Sequence, residues 1–345
     1  MDFSIASILA LDGITNGAIY ALVAIALVLV FAVTRVVFIP QGEYIAFGAL
    51  TMAIMQTGKT PGTVWLLLLL TGIAVVLEAV AAWRGHWPFG RVVKQILRTA
   101  GLPVVAIGLT LLLLPMGVPM WVHALLTLAL ITPMGPLVYR LAYRSLADAS
   151  VLILLIISVA VHFALTGLGL LFFGAEGFRN PSFWDARFQV GPVAFTGQAL
   201  IILISSVVLI VAMFLFFDRT LTGKALRATS VNRTGARLMG ISSDSAGSLS
   251  FGMAAFIGAL SGLLIGPSTT IYYDSGFLIG LKGFVGAVFA GLTSFPLALA
   301  GALGLGVIEA FASFWASAFK EVIVFTGILP VLMWRSFFDK DHEEH

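Results

Sequence analysis

The chain has 345 residues, of which 60% are hydrophobic and 10% charged, with a mean hydropathy of +1.07 and a formal net charge of +3. Soluble domains carry about 25% charged residues, so a single water-soluble core is excluded and much of the apolar surface has to face lipid. Cysteine is absent, which rules out disulfides, thiol nucleophiles and cysteine-ligated metals, and the small basic excess between apolar stretches suits an inner-leaflet surface rather than nucleic acid.

The opening residues Met1–Gly13 lack the positive region of a secretory signal, so the first apolar stretch reads as a retained span. A bilayer core needs roughly 20 apolar residues per helix, and candidate spans fall near 9–33, 42–57, 63–83, 103–116, 121–138, 151–173, 198–217, 247–266, 279–292, 297–317 and 322–337. Those near 42–57, 103–116 and 279–292 are short, as half-helices, re-entrant segments or tilted pieces buried in protein would be. The segments lack the alternation of barrel strands. The expected class is all-α: a polytopic transmembrane helical bundle of about 8–11 spans, forming one domain over 1–345.

Orientation follows from Lys and Arg. Arg84, Arg91, Lys94 and Arg98 read as one loop cluster, Arg140 and Arg144 follow the next hairpin, and Arg219, Lys224, Arg227, Arg233 and Arg237 form the densest basic segment. All three fall on one side, the cytoplasmic one, if every candidate crosses; a segment that does not cross would flip one half. The 174–197 loop then lies outside with the N-terminus, and the C-terminus from Asp339 lies inside. Gly258, Gly262 and Gly266, like Ala298, Ala302 and Gly306, recur every four residues, a spacing that lets helix backbones approach closely in lipid.

The polar stretch 219–245 separates two strongly apolar spans. It reads as a short cytoplasmic helix with Leu226, Thr229, Ala236, Leu238 and Met239 on a weak apolar face, then a turn and a return to the membrane at Ala246. Such a helix suits a groove in a partner. Gly223-Lys224-Ala225-Leu226-Arg227-Ala228, with Asn232, Ala236 and Leu238-Met239-Gly240-Ile241, resembles the coupling loop of LivH-type permeases, the membrane subunits of branched-chain amino acid ABC importers. Asp12–Leu22, Gln41-Gly42-Glu43, Tyr139–Leu146, Phe277–Gly291 and Gly306–Ala310 resemble further segments of that family in the same order. The departure is 84–122, where the chain has room for an extra hairpin.

The resemblance implies a second related permease subunit, two cytoplasmic ATPase subunits, a periplasmic solute-binding protein and a place in the bacterial inner membrane. It assigns Gly223, Lys224, Arg227, Ala228, Asn232, Ala236 and Gly240 to coupling with the ATPases. No G-x-x-x-x-G-K-[ST] run occurs, so ATP and Mg are expected on the partners, with no cofactor in this chain and no enzymatic role. Branched-chain or other small hydrophobic amino acids, or related amides and organic acids, are the implied solutes.

Ionisable groups inside spans are costly. Glu43 serves either a polar translocation path or a helix start. Thr15, Asn16 and Tyr20 either line the path or bond between helices. Lys282 either lines the path, bonds free carbonyls of a broken helix, or meets a carboxylate such as Glu309. His162 either faces the path or is satisfied by a neighbouring helix, while Glu78 and His123 read as structural. The scattered histidines, with His342 and His345 in the charged tail, make no catalytic set. A stand-alone channel or secondary carrier is the alternative, in which Glu43 and Lys282 would serve ion coupling.

Overall fold

The computed structural model describes residues 3–327 apart from Pro192 and Thr293, together with Leu329, Pro330 and Met333. Helix α1 (Phe3–Thr34) is apolar around its whole circumference and is wrapped by other helices, with 89% of its central window buried. That is the position such a pattern calls for. Beyond Thr34 the chain doubles back through an irregular stretch containing Phe38, whose ring is packed among Tyr44, Tyr143 and Phe251. Pro40 then starts α2 (Gln41–Gln56) halfway up the bundle, where Gln41 Nε2 donates to the Ala254 carbonyl at 2.9 Å. Nearly every residue of α2 is buried, so irregular backbone at membrane depth is enclosed in protein, as it has to be.

Helices α3 (Gly62–Arg84) and α4 (Phe89–Leu113) form a peripheral hairpin, followed by α5 (Met120–Ile131) and α6 (Met134–Val138). Pro133 breaks the helix between the last two, and a π turn at Tyr139–Tyr143 and a 3-10 turn at Arg144–Leu146 complete that crossing. Helix α7 (Val151–Phe173) leads to an antiparallel hairpin of β1 (Arg187–Val190) and β2 (Val193–Thr196), and α8 (Gly197–Arg219) returns. Two short helices, α9 (Leu221–Val231) and α10 (Arg233–Leu238), precede α11 (Ser243–Ile265), α12 (Ser275–Phe289), α13 (Phe295–Trp315) and α14 (Lys320–Thr326).

Among the described residues, eight helices are long and apolar enough to cross a membrane, and α12 is a shorter apolar helix. Two expectations need correction, at 103–116 and at 174–197. The short segment expected at 103–116 is the second half of the full-length α4, and Arg91, Lys94 and Arg98 ride on its first turns rather than in a loop. Their i, i+3, i+7 spacing gives one cationic face with Val92 and Ile96 on another side, so an amphipathic helix start resembles a polar loop when hydropathy alone is averaged. The 174–197 segment, expected as a loop, carries the β1–β2 hairpin. Of the last candidate span, α14 covers only the beginning; 328, 331, 332 and 334–337, and the tail with Asp339, His342 and His345, lie outside the described residues.

The small-residue stripes are helix contacts. A Cβ on Gly262 would strike the Ile45 carbonyl, and one on Gly306 would strike Gly13 and Gly17 of α1. The basic clusters gather at one end of the bundle, where Arg237 meets Asp148 at 3.0 Å, Arg144 meets Asp244 at 3.1 Å and Arg233 Nη1 donates to the Ala147 carbonyl at 3.1 Å. At the opposite end Phe178 bridges to Ile271, and the Asn180 N–H donates to the Gly266 carbonyl at 3.1 Å.

Candidate functional site

At the basic end, Thr220 caps α9 by accepting from the Gly223 N–H at 2.9 Å. Gly223 lies so close to the Phe216 carbonyl that a Cβ would collide with it, and this closeness permits the tight α8–α9 corner. Leu226 is buried with Leu29 and Val33 of α1, Phe217 of α8 and Ala246 of α11. Asn232 ends α9 and caps α10, its Oδ1 accepting from the Gly235 N–H at 2.8 Å. Gly240, at φ 82°, then reverses the chain toward α11 in a left-handed conformation that suits glycine.

Of the expected coupling residues, Gly223 and Ala236 face the bundle, whereas Lys224, Arg227, Ala228, Asn232 and Gly240 are exposed. Leu226 and Thr229 are buried on the bundle as well. Leu238 and Met239 do not share that apolar face as expected; they are 84% and 82% exposed, beside Leu221 and Val231. The reason is that α10 begins at its own cap, so the helical period restarts after Asn232. The outer surface of α9–α10 therefore combines uncovered aliphatic side chains with Lys224 and Arg227, neither of which has an ion-pair partner among the described residues. A cleft of about 330 Å³ opens between α9 and the adjoining ends of α1, α8 and α13, with Arg227 and Ser230 at its edge.

Two ionic groups lie within the bundle. In the first turn of α2, Glu43 is buried, and its Oε1 lies 2.6 Å from His162 Nδ1 and accepts from Thr166 Oγ1 at 3.3 Å. His162 is midway along α7 and packs against the ring of Phe277 at the start of α12, with centroids 4.7 Å apart. A carboxylate at a helix N-terminus also faces the positive end of the helix dipole. One and a half turns further along α12, Lys282 Nζ lies 2.5 Å from Glu309 Oε1 of α13 and 3.1 Å from Glu321 Oε1 of α14, and 5.7 Å from the centre of the Tyr20 ring of α1. The lysine therefore meets carboxylates rather than free carbonyls, and one side chain ties four helices together.

Thr15 donates to the Leu11 carbonyl of its own helix at 2.8 Å, and Asn16 is half-buried one turn before Tyr20. Glu78 is taken up by Arg140, Gln95 and Thr99, and His123 Nδ1 lies 3.0 Å from Gln56 Nε2. The sequence reading missed Glu321 and Thr166. Neither carries a signal in the sequence, because Lys282 and Glu43, which they meet, lie on other helices brought alongside only by the fold.

The family described as "Branched-chain amino acid transport system / permease component" matches residues 9–333. The chain is 26% identical to the high-affinity branched-chain amino acid transport system permease protein BraD of Pseudomonas aeruginosa, over 94% of this chain and 92% of BraD. It is 24% identical to the corresponding permease protein LivH of Escherichia coli, over 93% of this chain and 91% of LivH. A solved structure of PsaBC from Streptococcus pneumoniae in complex with Fab gives a TM-score of 0.43 at 12% identity, covering 93% of this chain and 89% of that one.

Proposed function

The chain belongs to the branched-chain amino acid permease family of ABC importers, and from that premise we propose that it conducts branched-chain or other small hydrophobic amino acids, or related small amides and organic acids, across the bacterial inner membrane. A periplasmic binding protein delivers the solute, a second related permease subunit completes the path, and two cytoplasmic ATPases bind ATP and Mg and supply the drive. The observation that carries this reading is α9–α10: an exposed aliphatic and basic surface at the basic end, rooted by Leu226 in α1, α8 and α11.

An ATPase surface closing on α9–α10 displaces Leu226, and the cleft beside α9 gives the helix room to move. The displacement passes to α1 and α11, the helices against which α2 and α12 are packed. Both short helices begin inside the bundle, and each adds a buried polar tie to its apolar packing, Glu43 to His162 and Lys282 to Glu309, so they are the elements assigned to shift between two arrangements of the path. We assign Thr15, Asn16, Tyr20, Glu43 and Lys282 to that moving region, and read 84–122 as an extra hairpin added to the family core.

Arg227→Glu in the assembled transporter tests the reading. The variant is expected to insert and fold normally, to retain ATP hydrolysis by the complex, and to lose solute uptake. Normal uptake would remove α9 from coupling.

A further inference from the structure

The corner between α3 and α4 carries a cationic surface that the transport reading does not use. Glu78 is the sole acid in residues 44–147, and it is already engaged by Arg140, Gln95 and Thr99. Arg84, Arg91, Lys94 and Arg98 are all exposed and form no ion pair among the described residues. Three of them sit at i, i+3 and i+7, on one face of α4.

Around these charges stand large aromatic side chains in open positions: Trp83 is 79% exposed and Phe89 83%, and the Arg91 guanidinium lies 6.0 Å from the centre of the Trp87 ring. At 25 residues α4 is ~37 Å long by its rise, more than the ~30 Å hydrocarbon core, so its first turns extend into the headgroup layer. Aromatic rings beside Lys and Arg at that depth match the membrane interface. Four uncompensated cations call for a partner that brings negative charge along the same surface.

We propose that the α3–α4 corner is a binding site for anionic phospholipid headgroups of the inner leaflet. Arg91, Lys94 and Arg98 hold phosphates along one face of α4, Arg84 closes the site, and Trp83, Trp87 and Phe89 lie at the boundary with the acyl chains. The hairpin thereby anchors the periphery of the bundle to charged lipid.

The test uses the full-length chain purified in neutral detergent, with phosphatidylglycerol and phosphatidylcholine of equal chain length supplied together and retained lipid counted by native mass spectrometry. Each cation near an anionic surface contributes roughly a fivefold factor. The wild type is therefore expected to favour phosphatidylglycerol, and the variant with Arg84→Gln, Arg91→Gln, Lys94→Gln and Arg98→Gln to lose at least about tenfold of that preference. The charge-keeping set Arg84→Lys, Arg91→Lys and Arg98→Lys is expected to retain it. In the wild type the preference should fall as salt rises, a readout that stands even if the glutamine variant does not fold. Equal retention of both lipids, a preference indifferent to salt, or an unchanged preference in the glutamine variant would overturn the proposal.

Discussion

Lys282 shows how one side chain can organise several helices. It has 9% of its side chain exposed and is shared by Glu309 and Glu321, and removing the cation leaves buried carboxylate charge uncompensated. Breaking a buried pair from one side costs about 3–5 kcal/mol, whereas removing both charges together can be near neutral. Lys282→Met is therefore expected to lower the unfolding temperature in detergent sharply, and the Lys282→Met, Glu309→Gln double variant to recover much of the loss. A single variant as stable as wild type would show that α12 is held by packing alone. His162 and Glu43 allow a milder contrast. His162→Gln keeps a donor for the carboxylate and should cost about 1 kcal/mol, while His162→Leu should cost about 3 kcal/mol, read from the same melts. A carboxylate partner for Lys282, with Glu309 as a candidate, was one of the alternatives the sequence left open. Glu321 could not be read there, because its placement depends on how the chain turns after α13.

At the level of the element, α9–α10 separates two tasks that the sequence reading merged. Its inner side fixes it to the bundle and its outer side is free. Gly223→Val puts a branched side chain where the Phe216 carbonyl already lies, so α9 is expected to leave its seat and the protein to lose stability together with transport. Leu238→Ala and Met239→Ala touch only the exposed side. They should leave the unfolding free energy within about 0.5 kcal/mol of wild type while weakening capture of the ATPase subunits in pull-downs. Full capture by the double alanine variant would confine docking to α9. The polar stretch and its bounding glycines were legible because they interrupt apolar spans. The split at Asn232 was not, since an asparagine in a polar run fits a turn or a cap equally well until its side chain is seen accepting from Gly235.

For the whole molecule the decisive quantity is sidedness, and the absence of cysteine makes it directly measurable. The expected parity is unaffected by the misplaced element, because 103–116 belongs to the single long helix α4 and treating the start of that helix as a loop moves no crossing. What counting could not supply is how α1 reaches α2. Only the packing of Phe38 among Tyr44, Tyr143 and Phe251 shows that the chain climbs to mid-bundle before the short helix begins, and the stretch after Thr34 and α2 are expected to make one crossing together. On this topology Lys59→Cys and Gln189→Cys lie at the outer end, and His86→Cys and Thr234→Cys at the basic end, all at exposed positions. A membrane-impermeant maleimide applied to intact spheroplasts is expected to label the first two, and the same reagent on inverted vesicles the last two. Arg35→Cys, exposed just after α1, labels with the basic-end pair on this topology, and its labelling from the outside together with position 59 would mean that α2 turns back without completing the crossing. That result would reverse the side of everything before α3 and leave the N-terminus of α1 in the cytoplasm.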